Sequence, residues 1–193
     1  MASRALGIIA VLAVGAWTGN HPAHAASAPF TICYGYECSR QQQVTLNDAQ
    51  WQQIRAIFTP TASTAEQERG AVRRAIAQME MIVGTLTGTW QDLGGNVPGS
   101  DKPKQLDCID ESTNSTTYLT LFQQDGLLTW HEVSARVRRS KWILDAHWTA
   151  VLHEMANGQL YAVDSWFLNN GQPPYIQRLE DWLDKKDFDE PNP

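Results

Sequence analysis

A chain of 193 residues with 15 Lys and Arg against 21 Asp and Glu carries a formal charge of -6. That length suits a single domain with a real core, because one compact unit usually holds ~100 to 200 residues. Acidity without a basic patch argues against a nucleic-acid partner, and no internal repeat or low-complexity tract stands out.

The chain opens with Arg4, an apolar run from Ala5 to Trp17, and Ala23-His24-Ala25, the small-x-small pattern of a signal-peptidase site. This predicts a signal peptide over residues 1–25 and one domain over residues 26–193. The apolar run is shorter than the ~20 residues a spanning helix needs, and no later segment is able to span a bilayer. No membrane insertion is expected after cleavage. Arg4 is the only charged residue of the leader, so its removal makes the chain one unit more acidic.

Export implies an oxidising compartment, here taken as the periplasm, where paired cysteines form disulfides. Cys33 and Cys38 flank the turn Tyr34-Gly35-Tyr36-Glu37, so a local disulfide is expected between them. A loop this short removes little unfolded-state entropy, so its stabilising effect is modest. The spacing is not Cys-x-x-Cys, which argues against a redox-active pair. Of three cysteines, Cys108 is left free.

Thr45-Leu46-Asn47-Asp48 predicts the cap of a helix running to about Phe58, with Trp51, Ile54 and Phe58 on one face. Thr59-Pro60-Thr61 ends it. Thr64-Ala65-Glu66-Gln67 matches a capping box, and the helix behind it aligns Val72, Ile76, Met79, Val83 and Leu86 before Gly88. Residues 94–103 are too rich in Gly and Pro for a regular element. Asp107 then caps a third helix, with Asp110 and Glu111 in its first turn, Leu119 and Phe122 inward and Gly126 at its end. Ser112 to Thr117 is a poor helix former, so packing must hold it.

Beyond Gly126 the period changes to two, giving strands near Leu127 to Val137, Trp142 to His153 and Leu160 to Phe167. Asn157-Gly158 turns the last two into antiparallel neighbours. Pro173-Pro174 interrupts the sheet, and Leu179 to Leu183 forms a closing helix. Most of the tryptophans are expected in the core. Arg136, Arg138 and Arg139 with Lys141 read as a solvated strand end, or as a holder for an acidic substrate. His131 is expected to be half-exposed on an edge strand.

Cys108 carries the chemistry. A thiol at a helix N-terminus feels the positive end of the helix dipole, which favours the reactive thiolate. His147 and Asp164 follow on two strands and complete a nucleophile, base and orienter set. In a strict tight hairpin those two cannot stand opposite each other; a wider loop around Glu154 to Gln159, or a bulge, is needed. The Cys108 N–H is a candidate oxyanion donor, and the Trp90 indole a second. A zinc site from the same three residues lacks the close ligand spacing of common zinc motifs, so no metal or cofactor is assigned.

Asp107-Cys108-Ile109-Asp110-Glu111, Ala146-His147-Trp148-Thr149-Ala150-Val151-Leu152 and Tyr161-Ala162-Val163-Asp164-Ser165 together resemble the Cys, His and Asp blocks of the transglutaminase-like cysteine hydrolases. The nearest branch is the bacterial transglutaminase-like cysteine proteinases. The resemblance spans about Trp90 to Trp166 and implies an α+β, papain/transglutaminase-like fold, with a helical N-terminal half packed on a C-terminal antiparallel sheet. It implies hydrolysis or acyl transfer at an amide of a protein or cell-wall peptide. That branch commonly has Cys-Glu-Asp where this chain has Cys108-Ile109-Asp110, so calcium at Asp107, Asp110 and Glu111 is not implied. The alternative is a non-catalytic periplasmic binding or assembly protein on the same scaffold.

Overall fold

The computed structural model describes residues 28–96, 104–140, 146–186 and 188. The expected signal peptide, Trp142 and Lys141 lie outside these residues. In chain order the elements are β1 (Phe30–Tyr34), β2 (Arg40–Val44), α1 (Asp48–Ile57), α2 (Ala65–Thr87), a 3-10 turn (Thr89–Gln91), α3 (Cys108–Gln124), β3 (His131–Arg139), β4 (His147–Glu154), β5 (Leu160–Asp164), β6 (Tyr175–Arg178) and α4 (Leu179–Leu183). Strands β1 and β2 pair alone, and β3-β4-β5-β6 form a second antiparallel sheet in that order. The fold class is therefore α+β. Among the described residues no helix is long and apolar enough to cross a membrane.

Helix boundaries follow local chemistry. Asn47 caps α1 by accepting from the Gln50 N–H, and Gln50 returns the bond to the Asn47 N–H. Thr64 accepts from the Gln67 N–H at 3.2 Å, but the Gln67 side chain reaches Ser63 instead of Thr64. The expected reciprocal box is thus displaced by one residue. Gly88 stops α2 at φ 85°, a left-handed conformation that glycine adopts without steric cost.

Helix α3 is the central element, packed against β1, β3, β4, β5 and α2. Its polar stretch is buried at Ser112, Asn114 and Ser115. Thr113, Thr116, Thr117 and Thr120 each return their hydroxyl to the carbonyl four residues earlier. This back-bonding satisfies hydroxyls that would otherwise be desolvated without partners.

Alternation along the strands separates two cores. Ala150, Leu152, Val163 and Ile176 join Trp51, Ile76, Met79 and Phe122 on the helical side. Val151 and Ala162 face Leu179 and Trp182 of α4 on the other.

Several expectations are corrected. β1, β2 and β6 are additional strands, and β3 starts at His131 rather than Leu127. His131 is not half-exposed but 1% exposed, because the Glu68 carboxylate on α2 accepts both its N–H and its ring Nδ1 at 2.9 Å. The basic cluster is divided: Arg138 is exposed, while Arg136 reaches α3 and Arg139 stacks 4.2 Å over the Trp182 ring. Of the tryptophans, Trp51 and Trp182 are fully buried and Trp90 is 60% exposed.

Candidate active site

Cys108 is the first residue of α3 and a partly exposed free thiol. Its position is set by two flanking carboxylates. Asp107 accepts from the N–H groups of Ile109 and Asp110 at 3.0 and 2.9 Å, and Asp110 accepts in return from the Asp107 N–H at 3.3 Å. This is a capping box, which consumes the first-turn donors. Among the described residues nothing takes up the Cys108 N–H, so it remains available at the positive end of the helix dipole. Arg136 braces the same turn by donating to Thr113 Oγ1 at 2.6 Å and Ser112 Oγ at 3.1 Å.

The carboxylates are also held from outside the helix. Cys33 and Cys38 form the expected disulfide. Within the loop they close, the N–H groups of Tyr36 and Cys38 donate to Asp110 at 2.8 Å, and that of Glu37 donates to Asp107 at 2.9 Å. Asp107 and Asp110 thus each accept three N–H bonds. The two sulfurs and an Asp110 oxygen lie within 4.8 Å of one another, but in the disulfide those sulfurs are spent on each other.

His147 and Asp164 meet through the register of β4 and β5. Ala150 pairs with Val163, which sets Asp164 opposite Thr149 and one diagonal step from His147 on the same face. The connecting loop explains the step. Glu154 N–H bonds the Gln159 carbonyl at 2.8 Å, so four residues turn the chain instead of Asn157-Gly158 alone. The wider loop moves Asp164 within reach, and His147 Nε2 lies 2.7 Å from Asp164 Oδ2.

Cys108 lies near enough to the same ring to act on its charge. Burial alone would lower the pKa of His147; hydrogen bonds and charge from Asp164 and Cys108 outweigh it and raise the group to about 9. The ring is therefore charged at neutral pH, with Asp164 bonded to it and Cys108 nearby.

No family model, curated protein or solved structure matches the chain.

The site has further parts that the sequence did not disclose. Trp182 of α4 donates its indole N–H to Asp164 Oδ2 at 2.7 Å, fixing the carboxylate from behind. The His147 ring is boxed by Trp166, Phe167 and Trp182 at centroid distances of 4.8, 5.2 and 5.5 Å. The only forewarning was aromatic density after Asp164. Trp90 is not brought into this group: among the described residues no hydrogen bond or ring contact joins it to Cys108 or His147.

A second group of acids lies buried beside the site. Burial raises Glu80 to about 8 and Asp92 to about 7, and it raises Glu111 well above its ordinary value. Burial and the neighbouring Asp107 charge raise Asp110 to about 6. Glu80 accepts from the Gly171 N–H at 2.8 Å, while Asp92 accepts from the Leu106 N–H at 2.7 Å. These bonds tie the segment after β5 to α2, and the approach to α3 to the residue after the 3-10 turn.

Proposed function

We propose that the chain is an exported cysteine hydrolase or acyltransferase, acting through Cys108, His147 and Asp164 on an amide of a protein or cell-wall peptide. The observation that carries this reading is the imidazole of His147, bonded to Asp164 at 2.7 Å and close enough to Cys108 for the sulfur to raise its pKa. A helix-borne thiol beside strand-borne His and Asp also favours a papain or transglutaminase-like assignment of the α+β fold, and the disulfide favours an oxidising compartment such as the periplasm.

Cys108 Sγ attacks the carbonyl carbon, and the developing oxyanion is met by the unmatched Cys108 N–H. Imidazolium His147 gives its proton to the leaving amine as the C–N bond breaks, leaving an acyl-thioester on Cys108. Neutral His147 then takes a proton from water, or from an acceptor amine, which attacks the thioester and frees the Cys108 sulfur. Asp164 keeps the ring oriented throughout, and Trp182 keeps Asp164 in place.

The test is acylation by p-nitrophenyl acetate followed by intact mass. One acetyl group on Cys108, released with time and absent from Cys108→Ala, is expected. Failure to acylate a folded wild-type protein refutes the reading in favour of a non-catalytic binding or assembly protein.

A further inference from the structure

We propose that the Cys33–Cys38 disulfide loop is a redox-sensitive clamp on the nucleophile. Intact, it supplies the N–H donors that occupy Asp107 and Asp110; opened by a dithiol reductant, it lowers the reactivity of Cys108. This inference rests on the reading of Cys108 as the nucleophile and adds its regulation.

The loop is shaped to present donors. Gly35, Tyr36, Glu37 and Cys38 all have positive φ, from 53° to 82°. Such a run is unfavourable for non-glycine residues, and successive left-handed residues aim their N–H groups toward one concave side, as in an anion-binding nest. Here the anions are internal. Tyr36 and Cys38 donate to the two oxygens of Asp110, Glu37 donates to Asp107, and Gly35 donates to the Gln105 carbonyl at 2.9 Å. Asn114 on α3 anchors the loop's base by bonding both the N–H and the carbonyl of Cys33. The bridge closes the turn at the end of the β1–β2 ladder, and the donors of that turn reach Asp107, Asp110 and Gln105, at or just before the turn that carries Cys108.

Reduction is chemically balanced and has an approach. Cys38 is partly exposed and its Sγ accepts from Gln41 at 3.3 Å, whereas Cys33 is buried. A reductant thiolate attacks the Cys38 sulfur, breaks the S–S bond and expels the Cys33 sulfur. The reductant's second thiol then displaces Cys38 and leaves as its own disulfide, having supplied two electrons and two protons. Freed of closure, the loop leaves its unfavourable conformation and Asp107 and Asp110 lose its three donors. The capping box at the start of α3 then loses its support from outside the helix, and with it the fixed placement of the sulfur beside His147.

The test measures iodoacetamide alkylation of Cys108 from pH 5 to 9, located by peptide mass mapping. It compares oxidised wild type, wild type treated with dithiothreitol, and Cys33→Ser/Cys38→Ser. The expected result is alkylation about ten-fold slower at neutral pH in both opened forms. Equal rates and profiles in the oxidised and reduced wild type, with circular dichroism showing both folded, overturn the clamp; this arm decides even if the double variant does not fold. A sulfur that reacts no faster in oxidised native protein than in the denatured chain overturns the nucleophile reading itself.

Discussion

Asp164 illustrates how one buried carboxylate is made to serve a neighbour. Its Oδ2 receives both the His147 ring at 2.7 Å and the Trp182 indole at 2.7 Å, so neither partner can be removed without exposing the other to a changed field. Asp164→Asn removes the charge that favours imidazolium. The alkaline limb of turnover, expected near pH 9 in the wild type, should move toward the ordinary histidine value of 6.5, with kcat/KM lower by roughly a hundred-fold or more. A pH–rate profile checks this. Trp182→Phe keeps most of the packing but leaves the carboxylate one donor short; a loss of about 2 kcal/mol in urea unfolding is expected, because hydrogen bonds to charged groups are the stronger class. At this scale the sequence was informative about chemistry and silent about neighbours. Cys108, His147 and Asp164 were recognisable by type and order, whereas Trp182 and Arg136 became part of the site only through contacts remote in sequence.

Elements decide whether those residues meet. The four-residue turn between β4 and β5 sets the diagonal offset of His147 and Asp164, and the segment 91–96 is laid against the loop after β5. Gly94 is the tightest point of that contact: a Cβ there would stand 2.4 Å from the Phe167 carbonyl oxygen. Its N–H donates to Asn169 at 3.0 Å, and the neighbouring Gly95 N–H bonds the Trp166 carbonyl. Gly94→Ala must therefore displace the loop that carries Trp166 and Phe167 onto His147. A loss of about 2 kcal/mol or more in urea unfolding is expected, together with a lower kcat/KM. Helices were legible because their caps are local: Thr64, Gly88 and Asp107 stand where expected, and α1 is capped within the expected stretch 45–48, by Asn47 with Gln50. Strand β2 was not, since Arg40-Gln41-Gln42-Gln43 offers no apolar alternation and becomes a strand by pairing with β1 across the disulfide loop. β6 has only four residues, too short for a period to register. His131 looked half-exposed from its edge strand because nothing nearby in sequence announces Glu68.

Across the described molecule, four groups that titrate between pH 5 and 10 are shifted in one direction. Glu80, Asp92 and Asp110 are raised from 4.5, 3.8 and 3.8 to about 8, 7 and 6, and His147 is raised from 6.5 to about 9. A group whose folded pKa is raised contributes its stability fully below the unfolded value and loses it as pH climbs through the folded one. Stability should therefore fall as pH rises from about 4 to about 9. Glu68 opposes this only in acid: burial alone would raise it, but hydrogen bonds from His131, Thr129 and Trp130 prevail and lower it, so its contribution fades below 4.5. A higher melting temperature at pH 5 than at pH 8.5 is expected, with a smaller difference in Glu80→Gln; a protein more stable at pH 8.5 would contradict this assignment of the buried acids.

The pairing of Cys108 with His147 is tested most directly by the rate at which iodoacetamide alkylates Cys108 at pH 6 in the native oxidised protein. That rate is compared with the denatured chain and with folded His147→Ala. The native wild type should react at least ten-fold faster than either, since only it holds the sulfur against a charged imidazole. A wild-type rate equal to that of His147→Ala would contradict the pairing and leave Cys108 an ordinary thiol at the start of a helix.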